Sequence, residues 1–574
     1  MAKYRADIRD IEFNLTEALK IQDWTKYGLE EQDIKGILGE YVKFVENEVF
    51  PTREPSDQIG VKHIDGKVIV PEVLRTPQKS FYDNGWFALG MPEAIGGTPV
   101  PEALYVSCMS LATGANCAWM MYPGLSRAAL NVINLKGSEF MKTHIVPRMM
   151  SGEWGGTMCL TEAGAGSDVG ALRSTAKPLA NGKYSIQGTK IFISSGESDL
   201  YENNIHLVLA RTPQGAEGSK GISLFVVPRF KINEDGSMGE SNNVTCSKIE
   251  HKMGIHASST CEMQFGIDGE TEGWLIGDEF EGMSTMFIMM NEARLYCGIQ
   301  GEAQGNLAYM MTETYVKERI QFGKEIIHHP DVRRSMLRMR ALSRGMRALC
   351  FYTANLFDAA HENKEMEGLI GLLTPICKAY CSENGFNVSV EALQSHGGYG
   401  YCTEYGIEQF VRDTKIATIY EGTNAIQAID FVMRKILKDG GKSLTVLTQQ
   451  IVASVQGLDA QFKKEQDSFG KVLMSAQTIM QKITQWAKAG QHNMILQNCT
   501  DFLNFASQMV VAWQLMEAAK LAAEKVGSAQ GDDKAFYESK IVDFKVYCSQ
   551  FLVHNLSIAK TITDFEDDMC ALEI

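Results

Sequence analysis

The chain has 574 residues, 45% of them hydrophobic and 22% charged, an ordinary globular composition that excludes extended disorder and collagen-like architecture. That length exceeds the roughly 250–300 residues at which a single core stops growing, so several domains are expected. The net charge is −15, from 55 Lys+Arg against 70 Asp+Glu; it disfavours a general nucleic-acid or anionic-membrane binder, so a phosphate-bearing ligand has to be held locally, by Arg, Lys and backbone N–H groups.

The opening stretch MAKYRADIRDIEFNL lacks the apolar core of a signal peptide. The most apolar stretch, Val106 to Leu135, is interrupted by Asn116, Pro123, Gly124 and Arg127, so no membrane span and no stable membrane insertion are expected. The 13 cysteines are scattered, without a CxxC pair. Cys377 and Cys381 have the spacing of one buried helix face, and neither a disulfide framework nor a zinc or other metal site is indicated. The reading is a reducing, cytoplasmic compartment.

Residues 1–156 read mainly as helix, with apolar positions at helical spacing over Ala103–Leu111 and Ser126–Leu135. Residues 157–277 read as a small β domain, a barrel or sandwich. Its strand signals are Ile205–Leu209, Ile222–Val227 and Thr260–Phe265, separated by Gly, Asn and Pro. Helix returns over 278–440, with Tyr309–Arg319 and Val332–Leu356 as amphipathic candidates. After Gly440-Gly441 a further helical domain, 441–574, includes Phe502–Glu524.

Five segments carry possible chemistry. In TEAGAGSD (161–168), two Gly and small Ala allow backbone to approach a bulky ligand, and Thr161 and Ser167 offer hydroxyls; a Gly-rich turn is the plainer reading on composition. It is neither a P-loop nor a Rossmann fingerprint, since no Gly-Lys-Ser/Thr follows and it opens no βαβ unit. In GTKIFISSG (188–196), alternation places Phe192 and Ser194 on one strand face, an aromatic and a hydroxyl suited to a flat heterocycle or, more plainly, to an ordinary strand. Arg319-Ile320-Gln321-Phe322-Gly323-Lys324 sets two cations around a Gly, suited to a pyrophosphate or, more plainly, to a helix end with a C-cap Gly. QSHGGYG (394–400) follows a helical run; its His396 reads as a structural hydrogen-bonding group. In IYEGTN (419–424), Glu421 precedes a helix start at which Asn424 and Gln427 resemble a capping box, with Ile426, Ile429, Val432, Met433 and Ile436 as its apolar stripe.

In this order and spacing the segments resemble the acyl-CoA dehydrogenase family, over roughly Phe81 to Lys438. IEHKMGIHAS (249–258), NEARL (291–295) and the C-terminal extension are similar to its large subgroup, which includes 3-methylmercaptopropionyl-CoA and broad-specificity fatty acyl-CoA dehydrogenases. The resemblance implies an α+β multidomain fold: a helical N-terminal domain, a central β domain and a C-terminal four-helix bundle, plus here the extra helical domain. It implies FAD held at a homodimer interface, an acyl-CoA substrate and an electron-transfer flavoprotein as acceptor. By position, Glu421 matches the catalytic base. Thr161 and Ser194 match groups bonding the flavin ring, and Phe192 an aromatic packed on it. Arg319, Phe322, Gln394 and Gly398 match contacts to the FAD diphosphate and adenosine, several made from the neighbouring subunit, and Thr423 joins the cofactor contacts. Ser167 lies in a segment shared by FAD and CoA, Arg294 matches a basic residue near CoA, and Gly422 falls on the substrate side. Gln321 and Ala425 depart from the family pattern. The alternative base position of some members falls here on Ala293, which cannot serve, and Glu292 is one residue, about 100° of helix, away. Other readings of the same fold are an oxidase and a DNA-associated flavoprotein; the negative charge speaks against the latter.

Overall fold

The computed structural model describes residues 4–19 and 24–565. The chain divides into two compact units. One comprises Met1–Gly39, Pro101–Gly114 and Arg294–Ile574, the other Glu40–Val100 and Ala115–Ala293.

The second unit holds the sheet. Its first strands form a short hairpin, β1 (Lys62–Ile64) with β2 (Lys67–Ile69), which the sequence reading did not anticipate. The main strands are β3 (Trp154–Cys159), β4 (Thr175–Pro178), β5 (Tyr184–Ser194), β6 (Asn203–Arg211) and β7 (Ile222–Pro228). After the small hairpin β8 (Phe230–Ile232) and β9 (Met238–Ser241) come β10 (Val244–Ile249), β11 (Thr260–Phe265) and β12 (Glu272–Leu275). Pairing runs β5–β12–β7–β6 and returns through β4, which pairs with both β5 and β6, so the ladder closes on itself as a barrel does. The core inside is Ile186, Val208, Ala210, Phe225, Val227, Met263 and Phe265, with the β-branched and aromatic residues that fit a pleated surface. β6 and β7 are buried along nearly their whole length, which is why they read as continuous apolar runs and not as alternating ones. The helix Cys117–Lys136 packs on β3, its N-terminus capped by Asn116 Oδ1 accepting from the Trp119 amide.

The first unit is helical apart from the two-residue strands β13 (Ile320–Gln321) and β14 (Lys324–Glu325). Its framework is the helix Gly282–Glu318, which begins in the other unit, with Pro330–Ala360, Met366–Ser395, His492–Lys525 and Gly531–Gln550. Gly298, Gly301 and Gly305 form a ridge without side chains along the first of these. A Cβ on Gly301 would lie 2.2 Å from the Cys381 carbonyl oxygen, so the backbones of Gly282–Glu318 and Met366–Ser395 meet at a distance only glycine permits. That close approach brings Arg294 and Cys297 on one helix to the neighbourhood of Lys378 on the other. Among the described residues the cysteines are free thiols, all but Cys402 buried, and no helix is long and apolar enough to cross a membrane.

Candidate active site

The best-defined cluster surrounds Glu421. The helix Glu408–Lys415 winds down through a 3-10 turn, Ile416–Thr418, and the chain reverses at Glu421 (φ 57°) and Gly422 (φ 78°) before entering the helix Asn424–Ile429. A non-glycine residue held left-handed costs of order 1–3 kcal/mol, so the surroundings must impose it. They do so by two side chains. Gln427 Nε2 donates to the carbonyls of Glu421 (2.9 Å) and Gly422 (3.4 Å). Asn424 Oδ1 accepts from Lys378 Nζ (2.9 Å) and Ser382 Oγ (3.2 Å), while its Nδ2 donates to the Ala379 carbonyl (3.3 Å). The expected Asn424–Gln427 capping box is therefore corrected. Thr423 is the N-cap, its Oγ1 accepting from the Ile426 amide at 3.3 Å, because Asn424 is drawn to a neighbouring helix and Gln427 to the reversal. The apolar stripe is also displaced. Gln427, Ala428, Phe431, Val432 and Ile436 are buried, and Asp430 among them pairs with Arg294 Nη1 at 2.9 Å.

Arg294 is itself buried and committed to Asp430. Glu421 keeps some accessible surface, yet burial of its carboxyl raises its pKa above the ordinary 4.5, with Arg294 and then Lys378 opposing. Such a group is a better base near neutrality than a solvated Glu. Glu292, in the other unit, accepts from Asn131 Nδ2 at 3.3 Å, and burial raises its pKa too, against the pull of Arg127.

A second set of residues lies around the Gly-rich loop of the β unit. Glu162 and Ala165 exchange two backbone hydrogen bonds (3.2 and 3.0 Å), closing a tight turn with Ala163 and Gly164 at its tip. Around Gly164 and Gly166 an added Cβ would meet nothing, and Ser167 is exposed; the loop offers open backbone to a ligand. The loop is fastened to β5 by the Ile191 amide donating to the Thr161 carbonyl (2.9 Å) and by a buried ion pair, Lys190 Nζ to Glu162 Oε1 at 2.8 Å. The same carboxylate accepts from the Arg173 and Ser174 amides (2.7 and 3.0 Å) and from Ser174 Oγ (2.7 Å). Burial pushes the Glu162 carboxyl up, but Lys190 and these donors outweigh it and its pKa is lowered. Sequence reasoning missed this pair. Its signal was a lysine at an inward position of β5, four residues after the buried Ile186.

The uninterrupted alternation assumed for Phe192 and Ser194 does not hold. Cys261 pairs with Ile193 and Met263 with Lys190, so Ile191 and Phe192 both face the single residue Glu262 in a β-bulge. Phe192 takes φ 58° and stands 60% exposed, an aromatic ring turned out of the sheet. Ser194 remains half-buried, and its carbonyl accepts from Thr157 Oγ1 at 2.6 Å.

The third set is in the helical unit. Phe322 (φ 51°) and Gly323 (φ 77°) are the central residues of the β13–β14 hairpin, a mirror-image turn, so Gly323 does not cap a helix. Phe322 is 95% exposed. The Arg319 guanidinium sits 5.3 Å over the Tyr399 ring, and Tyr315 stacks on His396 at 4.1 Å, joining this hairpin to the QSHGGYG segment. His396 Nδ1 donates to the Ala392 carbonyl (2.8 Å), as a structural histidine does. Gln394, in the last turn of its helix, and Gly398, in the 3-10 turn Gly397–Tyr401, are exposed. Phe192, Phe322 and Glu421 are thus three of the eight described non-glycine residues with positive φ; strain of this kind gathers where a ligand or reaction requires it. Within the β unit the exposed Phe192 ring and the open Gly164 and Gly166 backbone suit a flat heterocycle, and within the helical unit Arg319 and the exposed Phe322 ring suit a phosphate-bearing, aromatic group.

Replacing Lys190 by Met is expected to leave Glu162 with its three other donors but no counter-charge. The cost should be about 1.5–3 kcal/mol. Thermal unfolding of the apo chain and its grip on added FAD both report it, and an unchanged melting curve with unchanged FAD affinity would show that the pair does not fasten the loop.

Comparison with known proteins gives four family-model matches in chain order. They are the acyl-CoA dehydrogenase N-terminal domain (32–153), its middle domain (157–266), its C-terminal domain (281–437) and an acetyl-CoA dehydrogenase C-terminal-like domain (447–573). The chain is 36% identical to a 3-methylmercaptopropionyl-CoA dehydrogenase of Ruegeria pomeroyi, over 99% of both chains. It is 35% identical to a broad-specificity linear acyl-CoA dehydrogenase of Mycobacterium tuberculosis, over 100% of this chain and 99% of the other. Among solved structures, an acyl-CoA dehydrogenase of Bacillus anthracis complexed with FAD superposes with a TM-score of 0.75 at 22% identity, covering 95% of this chain and 90% of that one.

Proposed function

Since the chain belongs to the acyl-CoA dehydrogenase family, whose cofactor is FAD, we propose that it oxidises an acyl-CoA thioester to the trans-2-enoyl-CoA with Glu421 as the base. The observation that carries this reading is Glu421 itself: a carboxylate held in a strained reversal by Gln427, its proton affinity raised by burial. Glu421 removes the α-proton. Its backbone N–H and Gly422 lie on the substrate side, where the thioester carbonyl is polarised as negative charge develops. Bound FAD supplies the two-electron acceptor that takes the β-hydride.

Thr161 and Ser194 bond the flavin ring, Phe192 packs on it, and Ser167 reaches both cofactor and substrate. Thr423 completes the near side. Arg319, Phe322, Gln394 and Gly398 grip the diphosphate and adenosine of a cofactor shared across a homodimer, and Arg294 lies toward the CoA moiety. The helices from Lys442–Gln456 to Asn555–Thr563 would cover the bundle face through which a second dimer could pair, which favours a dimer over a tetramer. The electrons leave to an electron-transfer flavoprotein in the cytoplasm. The substrate is a linear acyl-CoA or 3-methylmercaptopropionyl-CoA, the classes named for the two relatives above.

Anaerobic mixing of holoenzyme with butyryl-, palmitoyl- and 3-methylmercaptopropionyl-CoA tests this. At least one should bleach the flavin within a turnover and yield the enoyl-CoA, while light scattering gives a dimer mass. A flavin left yellow by all three would remove the dehydrogenase reading.

A further inference from the structure

Behind Glu421 stands a lysine with no access to solvent. Lys378 lies mid-way along the helix Met366–Ser395, and its side chain is fully buried. Burying an ammonium costs several kcal/mol unless a partner compensates it. Among the described residues Lys378 has no ion-pair partner; its Nζ donates to a neutral one, Asn424 Oδ1, at 2.9 Å. Asn424 is the first residue of the helix Asn424–Ile429, three positions after Glu421, and is further tied to Ser382 and Ala379.

The charged and titratable groups facing this region are few. Glu421 feels Arg294 and Lys378. Lys378 faces the Cys297 thiol, Glu421, Arg294 and Glu383. Arg294 is already matched by Asp430 at 2.9 Å, which leaves Lys378 as the less compensated of the two cations near the base. Burial pushes the Lys378 pKa down, and Cys297, Glu421 and Glu383 pull it back. A methionine of similar length would fill the same space without this cost, so a buried lysine here is explained by what its charge does to its neighbour.

We propose that Lys378 is a positioning residue for the reaction: through Asn424 it fixes the helix start behind Glu421, and its charge holds that base in the carboxylate form. The inference rests on Glu421 being the base, and the experiment separates the two.

The rate of anaerobic flavin bleaching by the fastest acyl-CoA of the series above is followed against pH in wild type, Lys378→Met, Lys378→Gln and Lys378→Arg holoenzymes. Loss of the cation should move the midpoint of the acidic, ascending limb up by about one pH unit, with much of the rate recovered on the high-pH side. Lys378→Gln, which keeps a donor for Asn424 but no charge, should show the same shift even if Lys378→Met does not fold. Lys378→Arg should keep the wild-type midpoint. A midpoint in the Gln or Met variant that is unchanged or lower overturns the proposal. Glu421→Gln serves as the reference: if it bleaches like wild type, the base assignment has failed. If it is inactive while the Lys378 midpoints stay put, only the role of Lys378 has.

Discussion

Glu421→Gln should bleach its flavin at least about 10²–10⁴-fold more slowly than wild type on mixing with a good acyl-CoA, while still binding it. Glutamine keeps the size of the side chain and removes only the base. The backbone reversal should survive, since Gln427 holds the main-chain carbonyls of residues 421 and 422 and not the carboxylate. The same carboxyl predicts the pH dependence of the wild type. Burial raises its pKa above 4.5, with Arg294 and Lys378 opposing, so the base is protonated and idle below that raised value. The bleaching rate should therefore rise with pH through it, at a midpoint above that of a solvated glutamate. Rapid mixing under anaerobic conditions measures both. A Gln variant within a few-fold of wild type would clear Glu421 of the role, and Glu292, also raised by burial, would be the next residue to change.

What could be read from the sequence depended on how far away the deciding partner lies. β11 was expected over Thr260–Phe265 and is found there; β6 was expected two residues short at each end and β7 one residue short at its C-terminal end. Their apolar runs are a local signal, and the burial that follows is local too. Val332–Leu356 lies inside the helix Pro330–Ala360, and Tyr309–Arg319 overruns the end of Gly282–Glu318 by one residue, because helical spacing marks the interior of a helix better than its ends. The hairpin at Lys62–Ile69 was missed: three-residue strands in a charged stretch carry no usable periodicity.

Within the motif segments the internal geometry was not legible. The left-handed residues Phe192, Phe322 and Glu421 are not types that announce a turn, and each is imposed by a ladder or side chain elsewhere. Lys190 reaches Glu162 across 28 positions and Lys378 reaches Asn424 across 46, and no spacing rule connects residues so far apart. The capping box failed for the same reason. The local rule would have satisfied Asn424 and Gln427 within their own helix, and the tertiary hydrogen bonds won.

Asp10→Ala should destabilise the helical unit by about 3–5 kcal/mol at neutral pH, the cost of leaving buried cations without their anion. Asp10, on the first helix, Ile8–Glu12, has no accessible surface. It contacts Lys540 Nζ, accepts from Arg347 Nη1 at 2.9 Å and lies 3.6 Å from Arg344 Nε. The set is nearly balanced. Asp543 takes Arg340 (2.6 Å) and Arg344 (2.9 Å), and Glu302 takes Arg347 (3.1 Å) and the Ser110 hydroxyl (2.6 Å). Four elements far apart in sequence are tied at this point: the N-terminal helix and the helices Gly282–Glu318, Pro330–Ala360 and Gly531–Gln550. Burial pushes the Asp10 carboxyl up, but Lys540, Arg344 and Arg347 outweigh it and hold it far below the usual carboxylate range. A depressed folded-state pKa stabilises the fold at every pH above the ordinary value of 3.8, and that contribution fades as pH falls toward the folded value. The cost of Asp10→Ala should accordingly be full at pH 7 and shrink in acid. Urea unfolding of the apo chain, followed by circular dichroism at several pH values, measures it. A variant within about 1 kcal/mol of wild type at pH 7 would mean that Asp543, Glu302 and Asp7, which lies 3.3 Å from Arg344 Nε and 3.6 Å from Arg347 Nη1, satisfy the four cations unaided.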